Sequence, residues 1–134
     1  MNTYLLIANA LCLLAFLAHT FAGDRELKLI KPSRQDDSTL QQEKWTMARA
    51  GWHMVSVDLL LATLALGLVN FSERITHELL VLQLLSAYFL VYAISWLFTL
   101  LISKSFPNKF IKLGQWLLLL IISGLIYWGA KGQF

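Results

Sequence analysis

Charge is scarce in this chain. Only 14% of its 134 residues are Asp, Glu, Lys or Arg, against 57% that are hydrophobic. An ordinary soluble domain has roughly 25% charged and 45–50% apolar residues. A water-soluble globule of this length would leave much of that apolar surface exposed, because small domains keep a large share of their surface outside. That disfavours a soluble enzyme and a disordered tail. Cysteine is nearly missing too. Cys12 stands alone, so no internal disulfide forms, and the C-x-x-C pairs of redox and zinc motifs are absent. A secreted disulfide scaffold is disfavoured with them. The sequence also lacks G-x-S-x-G, Walker A, H-E-x-x-H and the Rossmann fingerprint. The first span has no central glutamate, which a small multidrug exporter would use.

What is present is apolar length. Four stretches, about residues 3–22, 50–69, 79–103 and 115–130, hold one charge between them, Asp58. Each is close to the ~20 residues that cross a ~30 Å hydrocarbon core as a helix. They are continuous runs without strand alternation, and in lipid a helix satisfies its own backbone. The first run lacks the basic start and small-residue cleavage pattern of a signal peptide, so it reads as a true span. Local signals extend the helices. Ser38 and Gln41 form a capping-box pattern, so the second helix starts near Thr39 and reaches Val69, about 46 Å away. Ser105 and Pro107 place the start of the fourth near Phe106. The expectation is an all-α, four-helix transmembrane bundle in a single domain. Its helices run at about 3–22, 39–69, 76–103 and 106–130, with a loop at 23–38.

The connections set its orientation. Nine basic residues lie in the first and third, among them Arg25, Lys28, Lys31, Arg34, Lys104 and Lys112; Arg74 and Lys131 lie on the other side. The positive-inside bias puts the basic loops in the cytoplasm and both termini outside, in the periplasm of a bacterial inner membrane. The net charge of +3 then reflects topology and lipid headgroups, with no call for nucleic acid.

Polar residues inside or beside the spans are the candidate site. On the first helix Ala8, Cys12, Ala15, His19, Ala22 and Glu26 follow a 4, 3, 4, 3, 4 spacing, which keeps them on one face. Cys12 reads there as a small packing residue. On the second helix His53 sits beside Trp52 and one turn from Arg49, at the same membrane level as His19. With Asp24 or Glu26 as carboxylate, the histidines would form a ligand set for a divalent transition metal. They would equally form a proton relay, since imidazole titrates near neutral pH. Both could also be interfacial residues bonded to backbone or headgroups. Asp58 falls near mid-membrane, where an ionised carboxylate costs ~2.5–3.5 kcal/mol even on lenient scales. Its face carries Gly51, Met54, Ala62 and Ala65. Relief would come from a hydroxyl stripe on the third helix, Tyr88, Tyr92, Ser95 and Thr99, with Tyr92 near its depth. Asp58 is either a polar staple between helices or an ion site.

Two motifs carry a resemblance. His19-Thr20-Phe21-Ala22-Gly23-Asp24 resembles an H-[ST]-x-x-G-[DE] motif ending the first helix of small bacterial four-helix inner-membrane proteins. Trp52-His53 followed by Ser56 resembles their W-H-x-x-[ST] motif opening the second, and Gln115-Trp116 is similar to the start of their last helix. Asp24 stands where glutamate is usual. The resemblance draws attention to His19, Asp24 and His53 as a group and implies no activity.

The leading expectation is an oligomeric channel or transporter with an intramembrane proton- or cation-binding site. His19, His53 and Asp24 or Glu26 stand at the cytoplasmic mouth, and Asp58, Tyr92 and Ser95 form a midplane relay. The first alternative is a non-catalytic accessory or assembly subunit of a larger membrane complex, docking through the protruding second helix. The second is a membrane enzyme using a metal held by His19, His53 and Asp24.

Overall fold

The structure, a computed structural model, describes residues 1–33, 39–104 and 107–132. The expected cap at Ser38 and the expected fourth-helix start at Ser105 and Phe106 lie outside the described residues. Among the described residues every regular element is helical. Helix α1 spans Thr3–Leu29, α2 Thr39–Phe71, α3 Glu78–Ile102, α4 Lys109–Lys112 and α5 Gln115–Lys131. By length and composition α1, α2 and α3 can cross a membrane; α5, with 17 residues, is shorter. Their outward faces are apolar: Leu14, Phe21, Leu61, Leu84 and Val91 are all more than half exposed. A water-soluble monomer rarely shows so much contiguous apolar surface.

Two helix boundaries differ from expectation. α1 does not stop at residue 22 but continues to Leu29, so the expected loop begins as helix. Gly23 does not break it, because its backbone stays helical (φ −67°, ψ −39°). The stop comes at Ile30 and Lys31, just ahead of Pro32, where the ring of a proline disfavours helical backbone in the residue before it. The fourth helix is not continuous from 106 to 130. Asn108 sits in the left-handed region (φ 58°), starts the single turn of α4, and Leu113 and Gly114 separate that turn from α5.

The chain forms two compact units, Met1–Asn9 with Ala65–Phe134, and Ala10–Leu64. In the first, α3 packs along α5. The buried side of α3 is Leu82, Ser86, Phe89, Ala93 and Leu100; that of α5 is Ile122, Ser123, Ile126, Gly129 and Ala130. Ser95 and Thr99 are exposed, so the expected inward hydroxyl stripe does not form; Thr99 donates instead to the Ser95 carbonyl of its own helix (2.9 Å). Ser86 and Ser123 take its place. Each hydroxyl donates to the other's main-chain carbonyl, Ser86 Oγ to Ser123 O at 3.0 Å and Ser123 Oγ to Ser86 O at 2.8 Å. Small residues of this kind let membrane helices approach closely. At the other end, Asn2 caps α1 through Tyr4 N (3.0 Å), and its amide donates to Gly129 O (2.9 Å). A Cβ on Gly129 would meet Leu5 Cδ2 at 2.5 Å, which is why glycine stands there.

The serine pair makes a testable statement. In a cycle of Ser86→Ala and Ser123→Ala, unfolding in detergent should reveal a coupling of about 0.5–1.5 kcal/mol. Additive single effects would show that the two hydroxyls act separately.

Candidate functional site

The second unit holds the candidate site, and the geometry of α1 builds it. Residues Ala18–Gly23 form a π-helical turn, with hydrogen bonds reaching one residue further than in an α-helix. Such a turn adds a residue to the spiral and rotates the downstream part of the helix by about 100°. Upstream of it Cys12, on the expected seam, is the buried residue of α1 in this unit. Downstream the seam has moved. Ala22 and Glu26 are exposed, while Gly23 and Asp24 are buried. Asp24 is enclosed and Glu26 exposed, because the π turn shifts the seam that an unbroken α-helix would have carried to Glu26.

Asp24 is the centre of the cluster, its side chain only 12% exposed. Arg49, on α2, grips it with two bonds, Nε to Oδ1 at 2.7 Å and Nη2 to Oδ2 at 3.2 Å. Lys28 lies one turn further along α1 with Nζ 2.7 Å from Oδ2. His53 Nε2 is 3.2 Å from Oδ1. The fork of a guanidinium matches a carboxylate in both angle and spacing, so Arg49 fixes the orientation of Asp24 as well as its charge.

A second layer holds the π turn in place. The Trp52 indole N–H donates to His19 O at 2.8 Å, and its ring stacks on the His19 imidazole with centroids 3.9 Å apart and planes 4° from parallel. Gly23 permits this. A Cβ there would lie 2.1 Å from Trp52 Cζ2. His19 Nδ1 and Ser56 Oγ are hydrogen-bonded at 3.0 Å, and the Ser56 hydroxyl lies 3.4 Å from Trp52 O. Thr20 Oγ1, inside the π turn, is buried without a hydrogen-bond partner. Further out, Trp45 Nε1–H donates to Leu27 O at 2.9 Å, and Lys31 and Arg49 lie 5.6 and 5.5 Å from the Trp45 ring centroid.

His19, Gly23 and Asp24 of the first motif thus meet Trp52, His53 and Ser56 of the second. Sequence reasoning passed over three contributors: Arg49 as the main partner of Asp24, Trp52 as the brace of the π turn, and Ser56 as the partner of His19. Their spacing, 49, 52, 53 and 56, is one helical face, and Asp24 with Lys28 is an i, i+4 pair; both signals were in plain view.

The expected metal set takes another form. Among the described residues no three His, Cys, Asp or Glu side chains come together to hold a metal ion. The carboxylate that would supply the oxygen ligand is engaged by a guanidinium and an ammonium, and His19 is turned to Ser56 and Trp52. Asp58 is half-buried; of the residues expected to pack on its face Ala62 is buried, but Gly51 and Met54 are exposed, and Ser56 and Leu59 are enclosed in their place. Asp58 belongs to this unit, and Tyr92 and Ser95 to the other. Comparison of the chain with known protein families, with characterised proteins and with solved structures gives no match.

The close seat of Trp52 on Gly23 predicts that Gly23→Ala lowers stability by about 1–3 kcal/mol, the usual cost of overpacking. Gly51→Ala is the control: nothing lies within 4 Å of its Cβ position, and it should be neutral or stabilising by up to about 1 kcal/mol. Melting in detergent compares the two, and equal effects would disprove the seating.

Proposed function

We propose that this is a small multi-pass protein of the bacterial inner membrane that works as an oligomeric, proton-linked channel or transporter, with both termini outside. Its two motifs group it with the small four-helix membrane proteins they resemble. The observation that carries the reading is Asp24, a buried carboxylate gripped by Arg49 from the facing helix and approached by His53, at a π turn. Ionisable groups held at the border of an apolar span are expensive and as a rule functional. π turns also concentrate at functional sites. The lone pairs of Asp24 are directed at Arg49, Lys28 and His53, which favours the proton over a metal as the ion of this reading.

His53 is the proton acceptor in this reading. A proton taken there would place a second cation of α2, beside Arg49, against the Asp24 carboxylate of α1. Asp58 lies five residues further along α2, a rise of about 7.5 Å, and is the next acceptor toward the apolar centre.

A second reading, an accessory subunit, draws on one observation. The start of α2 leaves Leu40 57% and Met47 73% exposed, seven residues apart on one face beside Glu43. That is the pattern of a helix that docks on a partner.

Proteoliposomes with an internal pH dye and an imposed potential test the proposal. Proton flux should exceed that of empty vesicles, and His53→Gln should lower it by an order of magnitude or more, with Arg49 and Asp24 intact. No flux above empty vesicles would overturn the transport reading, and a stoichiometric co-purifying membrane protein would then support the accessory one.

A further inference from the structure

The turn between α3 and α5 is the most one-sidedly charged part of the molecule. No acidic residue occurs from position 79 to the end of the chain, and Lys104, Lys109 and Lys112 fall within nine positions. The fold gives these lysines different tasks. Lys109 turns back, its ammonium donating to the carbonyls of Leu101 and Ser103 at the end of α3, where a cation offsets unpaired carbonyls. Lys104 and Lys112 are exposed. Between them α4 presents Ile111, 83% exposed, beside Phe110. Two indoles pin the turn from the apolar side: Trp96 Nε1–H donates to Leu113 O at 3.2 Å, and Trp116 Nε1–H to Phe110 O at 3.0 Å.

Indole rings settle at the headgroup level of a bilayer, and lysine stems run along apolar surface to keep their ammonium groups among phosphates. A turn with two indoles, an exposed isoleucine and two outward ammonium groups, and without a carboxylate of its own, is complementary to a negatively charged lipid surface. We infer that the α3–α5 turn is a docking surface for anionic phospholipid headgroups, with Lys104 and Lys112 as the phosphate-binding cations and Ile111 seated among the acyl chains. The inference rests on the membrane-embedded reading above and is independent of the Asp24 cluster.

Vesicles of equal parts phosphatidylglycerol and phosphatidylcholine supply the test. After gentle detergent extraction, the lipid retained by the protein is weighed by native mass spectrometry. Each exposed lysine at a charged surface favours the anionic lipid by about fivefold. The wild-type protein should therefore retain phosphatidylglycerol at least fivefold over phosphatidylcholine. Lys104→Gln with Lys112→Gln should lower the preference at least fivefold, and Lys104→Arg with Lys112→Arg should keep it. Both residues are exposed and Lys109 is left in place, so the fold is not at stake. Equal retention of the two lipids by the wild type overturns the proposal, as does a preference that the glutamine pair leaves unchanged. Displacement of the lipid by glycerol 3-phosphate at equal concentration also overturns it, in favour of a free phosphate. Failure to enter vesicles of either lipid overturns it together with the membrane reading, whereas absent proton flux with lipid preference intact leaves only the latter standing.

Discussion

One widened helical turn sets up the chemistry of this protein. Had α1 continued as a regular α-helix through Ala18–Gly23, its buried seam would have led to Ala22 and Glu26. The π turn rotates the next residues so that Gly23 and Asp24 face inward. A π turn is not self-sustaining, since its hydrogen bonds are poorer and its axis less well filled. Here α2 braces it. Trp52 holds a main-chain carbonyl of the turn and covers an imidazole in the turn, and Arg49 takes the carboxylate that the rotation delivers. The irregular turn and the side chains that support it are a few residues of α1 and α2.

The two units use polar groups differently. Between α3 and α5 the polar contact is neutral and reciprocal: two hydroxyls bond two carbonyls and leave no charge behind. Such a contact brings backbones close and has nothing to titrate. Between α1 and α2 the contact is ionic and asymmetric, with one carboxylate facing a guanidinium, an ammonium and an imidazole. One interface therefore serves close approach of two backbones, and the other gathers charge around a single carboxylate.

Much of the fold was legible because membrane spans are read from length and hydropathy alone. The starts of α2 at Thr39 and α3 at Glu78 lie within a few residues of expectation, and α2 ends two residues beyond it. Two ends were not legible. Gly23 beside charged residues looks like a helix stop, but here glycine is needed to admit an indole ring, a requirement that exists only once α2 is in place. The break at Leu113 and Gly114 has no proline to announce it. The site divided likewise. His19, Asp24 and His53 were picked out by residue type and membrane level, whereas Arg49 was read as a topology signal. The stripe of Tyr88, Tyr92, Ser95 and Thr99 has helical spacing, but spacing does not say which side of a helix is inside. The inner side of α3 is the one that fits small residues against α5, Ser86 and Ala93, and Ser95 is left outside.

The order of residues by itself determined that this chain is helical, carries apolar segments of membrane-crossing length, and has its histidines and acids near the ends of those segments, because hydropathy and helical rise are local properties. Which acid turns inward, which cation meets it and which hydroxyls touch were decided only when helices packed. A helix presents its whole circumference in sequence, and only a neighbouring surface, here Trp52 against Gly23 and Ser123 against Ser86, selects the face that is buried.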